Sequence, residues 1–146
     1  MYANADVAAQ VTDHFLPLRI NIHQQPAGFH RFGVLWTPTT LALDASGAEQ
    51  FRLEGYLPRQ EFSAQLELAR ARLAFVQKRW QAAEEIYEAV TRVSPQTLAA
   101  ATGIYWSAVC RYKRTKDHTV LRPMAERLAE EYPQTMEAKK AGAFRG

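Results

Sequence analysis

Few residues in this chain have the chemistry of a catalytic group, and their spacing narrows what they can do. Cys110 is the one cysteine among 146 residues. A lone thiol forms no internal disulfide, no dithiol pair and no cysteine-built zinc site. It follows Val109 in a stretch that reads as helix, which predicts a buried structural thiol rather than a nucleophile. The four histidines, His14, His23, His30 and His118, make no pair at a helical ligand spacing, so no metal site is expected. No Ser-His-Asp grouping or glycine-rich phosphate loop is present, and no cofactor is expected. Glu84-Glu85 and Glu130-Glu131 are consecutive residues, which point in different directions on a helix; they read as surface neighbours, not acid–base pairs. Arg111, Lys113, Arg114 and Lys116 surround Tyr112, a basic cluster that a nucleic-acid contact could use. No nucleic-acid motif accompanies it, so it reads as a solvated loop between helices. Trp36-Thr37-Pro38-Thr39 sets a large aromatic beside an X-Pro bond.

The elements that must hold these residues follow from periodicity and punctuation. Asn4 can cap a first helix with Val7, Val11 and Phe15 on one face. Leu16 to Ile22 alternates apolar and polar residues and predicts a strand, with Pro17 tolerable near its start. Gln24 to Phe32 reads as a loop and a short helix that Gly33 can end. Thr40–Leu43 and Glu49–Tyr56 predict a hairpin across the turn Asp44-Ala45-Ser46-Gly47. From Pro58 onward the pattern is helical, with segments predicted at about 58–77, 80–93, 97–113 and 119–131.

In that order, helix, strand, short helix, proline turn, hairpin and helix, residues 4–70 resemble the second half of a thioredoxin fold. Phe32-Gly33-Val34 with Thr37-Pro38-Thr39 resembles the family's proline loop. Leu41 to Gly47 resembles its following strand and turn, and Glu54-Gly55-Tyr56 with Glu61-Phe62 and Leu66 resembles its last strand and final helix. The resemblance implies a cis peptide bond before Pro38, with the backbone at Thr37 open to an extended substrate and Trp36 bordering the groove. Met1 to Phe15 resembles the later part of the helix that carries the family's Cys-X-X-Cys. The first strands and that cysteine pair have no counterpart here. Leu16–Ile22 and Thr40–Leu43 would then flank a vacant strand position, and bare strand edges invite pairing. Three outcomes follow: the two strands pair directly, a second chain covers them, or the natural protein is longer. A homodimer or an N-terminally truncated form is expected.

Residues Leu68 to Pro95 resemble a tetratricopeptide repeat. Ala71 sits on its first helix, and Ala83, Tyr87, Val90 and Pro95 follow at the family's intervals, although Val90 is larger than the usual alanine. A looser copy runs through Tyr105, Ala108 and Tyr112, then Leu121, Ala125, Leu128 and Pro133. The expected architecture is an incomplete α/β thioredoxin-like segment, residues 1–67, followed by an all-α helical repeat tail, residues 68–146. Residues 1–57 hold three arginines against five carboxylates, so the formal excess of +3 belongs to the second part. No run approaches the roughly eighteen apolar residues of a membrane span. The first residues lack a secretory pattern, and a cytoplasmic chain is expected. The functional expectation is a redox-inactive protein- or peptide-binding scaffold presenting Trp36, Thr37, Pro38 and Thr39. The competing expectation is the C-terminal part of a thiol–disulfide oxidoreductase whose cysteine-bearing segment lies outside this chain. Two thiols are required for dithiol exchange.

Overall fold

The computed structural model describes residues 4–146, which form two compact units dividing between Arg59 and Gln60. In the first unit, α1 spans Ala5–His14. Asn4 is extended, and its Oδ1 accepts from the backbone N–H of Asp6 (3.1 Å) and Val7 (3.3 Å). These donors have no partner within the helix, so the cap satisfies them. Val7 is buried, and Val11 and Phe15 are half-buried along the same face. Met1–Ala3, the start of the stretch that resembles the family's cysteine-bearing helix, lie outside the described residues.

Helix α2, Pro26–Arg31, opens with proline at its first position, where the missing N–H costs nothing. It closes at Gly33 with φ +55°, a left-handed conformation suited to glycine. Strands β1 (Thr39–Leu43) and β2 (Glu49–Glu54) pair antiparallel, with Thr40 opposite Leu53 and Ala42 opposite Phe51. Asp44 builds the connecting turn. Its carboxylate accepts from Ser46 N–H (2.9 Å), Ala48 N–H (3.1 Å) and Gln50 Nε2 (2.9 Å), while Gly47 takes φ +81°. Hydrogen bonds from the Ser46 and Gln50 side chains hold the Asp44 carboxyl below its usual value.

The strand expected at Leu16–Ile22 does not form. That stretch has no regular structure before a turn at Ile22–Gln24, and the sheet has two strands among the described residues. Direct pairing with Thr40–Leu43 is thereby excluded. Alternation of side chains orients a strand but does not supply its ladder. With Pro17 lacking a donor and no neighbouring strand, Leu16 is 100% exposed and Leu18 82%.

The second unit is helical: α3 (Arg59–Val76), α4 (Trp80–Val93), α5 (Leu98–Thr115), α6 (Leu121–Glu131) and α7 (Met136–Ala141), with short 3-10 turns at His118–Val120 and Gly142–Phe144. The first four lie close to the expected segments, the turn at His118–Val120 falling at the start of the one expected from 119; α7 and the turn at Gly142–Phe144 carried no expectation. The domain boundary expected after residue 67 falls inside α3, which is continuous there. Helix α3 runs alongside α5. Glu61 near its start accepts from the N–H of Leu98 (2.9 Å) and Ala99 (3.2 Å), capping α5 where Thr97 makes no side-chain cap. At the other end Phe75 meets Trp106 edge-on at 5.1 Å between ring centres.

Helices α4 and α5 approach closely at Gly103. A Cβ there would sit 2.6 Å from both Thr91 Oγ1 and the Tyr87 carbonyl oxygen. Thr91 Oγ1 donates across the same junction to the Ala100 carbonyl at 3.1 Å. On the far side of α5, Ala101, Ile104 and Ala108 pack with Met124, Ala125 and Leu128 of α6 and with Ala141 of α7. Alanine at so many contact positions lets the helices come close and bury their backbones together. No helix among the described residues is long and apolar enough to cross a membrane.

Candidate functional site

Between Gly33 and β1 the chain bends through Trp36–Pro38. Two hydrogen bonds fix its path. Thr39 Oγ1 donates to the Trp36 carbonyl at 2.6 Å, closing the turn. The Gly55 N–H donates to the Pro38 carbonyl at 2.7 Å, adding a rung beyond the Thr39–Glu54 pair. Gly55 has φ +90°, which only glycine adopts readily. The Thr37–Pro38 peptide bond is cis. Arg52, on β2, secures the start of the loop: one guanidinium nitrogen donates to the Phe32 carbonyl, and the group is held by Glu49 (2.7 Å) and Glu54 (3.3 Å).

The four predicted site residues are therefore brought into one turn at the open end of the hairpin, but not with equal exposure. Trp36 is 69% exposed and Thr37 is exposed, while Pro38 and Thr39 are half-buried. Leu35 (85% exposed) precedes them, and Tyr56 (78%) follows Gly55 just beyond the end of β2. Large apolar side chains held outward on a hydrogen-bonded backbone offer contact area at small ordering cost. None of Trp36–Thr39 is an acid, a base or an activated nucleophile, so the turn has binding chemistry and no proton-transfer chemistry. Arg52 and Tyr56 carried no site expectation. The alternation Gln50, Arg52, Glu54 places those polar groups on one face of β2, which is the sequence signal for Arg52.

Elsewhere the structure revises two expectations. Glu84 is not a surface residue: its side chain is 7% exposed, between Arg111 Nε (2.7 Å) and Arg114 Nη2 (3.0 Å). Arg111 and Arg114 consequently do not belong to a solvated loop. They lie on α5 and neutralise a carboxylate of α4, which burial would otherwise penalise heavily. Lys113 and Lys116 are exposed. Cys110 is fully buried, and its thiol is pushed up to about 12 by burial, with the Glu84 charge adding to it. Trp80 and Trp106 are half-buried, each edge-on to Phe75, in contrast to Trp36.

Residues 1–70 match the family described as a thioredoxin-like domain. The chain thus carries a thioredoxin-like domain, which includes the Trp36–Thr39 turn, the hairpin and the first turns of α3. Mixed α/β structure lies within the thioredoxin-like domain, and helical structure follows it. Comparison with curated proteins and with solved structures found no match.

Proposed function

We propose that this chain is a non-catalytic, redox-inactive protein-binding module of the cytoplasm. Its thioredoxin-like domain contacts an extended peptide or protein segment through Trp36, Thr37, Pro38 and Thr39, and a tetratricopeptide-like region, residues 68–146, serves as the scaffold. The observation that carries this reading is the exposure of Trp36 on a turn whose backbone is tied at both ends. Leu35 and Tyr56 extend the apolar surface beside the turn. The same apolar surface suits a second copy of the chain. The buried thiol of Cys110 supports the absence of redox chemistry in this chain. The test is selection of extended peptides from a random library on the intact chain, with affinities then measured for Trp36→Ala. A central buried tryptophan is worth at least about 2 kcal/mol, so binding should fall roughly thirtyfold. Peptides that bind Trp36→Ala as tightly as the unaltered chain overturn the role of the turn. Sedimentation across a concentration series tests the dimer.

The match to a thioredoxin-like domain favours one alternative, that the chain forms the C-terminal part of a thiol–disulfide oxidoreductase with its cysteine pair on a preceding segment. Intact mass of the protein isolated from its own cells, followed by a disulfide-reduction assay on that species, decides between the two. A larger species that reduces disulfides supports the alternative. A species of this chain's own mass without reductase activity supports the binding module.

A further inference from the structure

Helices α4 and α6 both pack along α5 and leave an open groove of about 480 Å3 between them. Its floor includes Ile104 of α5 and Met124 of α6, both buried apolar residues. Its rim carries one arginine from each helix: Arg92 of α4, Arg111 of α5 and Arg127 of α6. The one carboxylate in the lining, Glu88, is already occupied by Arg111 at 2.7 Å. Arg127 turns its Nε to Glu131 on its own helix at 2.8 Å. Arg92 is exposed and makes no ion pair among the described residues. The groove thus combines an apolar floor with one arginine, Arg92, that has no ion-pair partner among the described residues and a second, Arg127, whose remaining guanidinium donors are not engaged by an ion pair there. It lies in a unit whose fourteen lysines and arginines outnumber its ten carboxylates.

The geometry points to a docking site for an acidic peptide segment bearing an aliphatic anchor. The anchor rests against Ile104 and Met124, and flanking carboxylates meet Arg92 and Arg127. Guanidinium groups suit this partner because their paired N–H donors match a carboxylate. The size falls within the range of pockets that enclose a side chain or small ligand. A single-stranded nucleic acid would instead call for aromatic stacking surfaces, and no aromatic residue lines the groove. This site is separate from the Trp36 turn and does not rest on that reading.

The experiment is fluorescence anisotropy on the intact chain with a labelled synthetic peptide of alternating glutamate and leucine. The comparison probes replace glutamate with lysine, replace leucine with serine, or use labelled oligothymidylate of equal charge. The glutamate–leucine peptide should bind, more weakly at raised salt. Combining Arg92→Glu with Arg127→Gln should weaken it about tenfold or more, since both side chains are rim charges facing the ligand. Both arginines are exposed, and circular dichroism verifies that the variant folds. Ser107→Glu, on the groove wall, is a second variant and should also block the peptide. Trp36→Ala should leave binding unchanged. Absence of binding, equal affinity for the serine peptide, or indifference to the arginine substitutions overturns the proposal. Oligothymidylate binding as tightly, with the same sensitivity to Arg92 and Arg127, overturns it in favour of a nucleic-acid surface.

Discussion

Replacing Gly103 with alanine adds one methyl group where α4 and α5 are in close contact. The new carbon would lie 2.6 Å from Thr91 Oγ1 and 2.6 Å from the Tyr87 carbonyl oxygen, whereas ordinary contacts begin at 3.4 Å. The hydroxyl can rotate away, but only by giving up its bond to the Ala100 carbonyl; the Tyr87 carbonyl is backbone and moves only with its helix. Overpacking of this kind costs about 1–3 kcal/mol. A buried hydroxyl left without a partner adds about 1–3 kcal/mol when rotation wins over helix movement. Against this, alanine is favoured over glycine within a helix by about 1 kcal/mol. The net is a loss of about 2 kcal/mol. Urea unfolding followed by far-UV circular dichroism should show the midpoint falling by about 1 M, given slopes of about 1–3 kcal/mol per molar. Gly142→Ala is the control, since nothing lies within 4 Å of an added carbon there. Adding Thr91→Ala to Gly103→Ala should recover part of the loss, the part owed to the hydroxyl. A Gly103→Ala midpoint at or above that of the unaltered chain refutes the close approach of the two helices.

Glu84→Gln leaves Arg111 and Arg114 without their shared carboxylate. Both arginines are nearly half exposed, so the usual penalty for breaking a buried pair shrinks to about 1–2 kcal/mol, measurable as a lowered Tm. Cys110 should resist thiol reagents until the chain unfolds. Its thiol lies at about 12 when folded against 9.0 as the reference, so the unfolded chain ionises first and stability falls as pH rises from 9.0 towards 12. The Tyr87 hydroxyl, also raised by burial, acts in the same direction, and a flat alkaline stability profile would refute both assignments. Asp44 has the opposite sign: its contribution is present above the reference value of 3.8 and is lost as pH falls below it. Asp44→Ala should speed amide exchange at Ser46 and Ala48, and unchanged exchange there would show that the carboxylate does not hold the turn.

Local signals were legible in the sequence where the physics is local. Asn4, Gly33, Gly47 and the prolines mark element ends because caps and positive φ depend on the residue itself. The long helices are legible because their apolar positions recur for several turns. What escaped depends on partners distant in the chain. Leu16–Ile22 has the alternation of a strand, yet a strand exists only with a ladder beside it. Glu84 looks like any surface glutamate until Arg111 and Arg114, on the next helix, close over it. Gly103 reads as a weak helix position, and only the packed pair shows why a side chain is excluded there. At the Trp36 turn, the resemblance to the family's proline loop implied recognition, but the contrast between outward Trp36 and half-buried Pro38 and Thr39 comes from the hairpin they adjoin.

Glu61 belongs to the stretch that matches the thioredoxin-like domain, yet its carboxylate closes the start of α5 in the helical unit. The end of the matched stretch therefore falls inside α3, beyond the division of the two units at Arg59 and Gln60, and a cut at residue 70 breaks that helix. A fragment beginning after residue 70 would lose the acceptor for Leu98 and Ala99. A boundary chosen for cutting or grafting this chain therefore belongs before α3, so that Glu61 stays with the helix it closes.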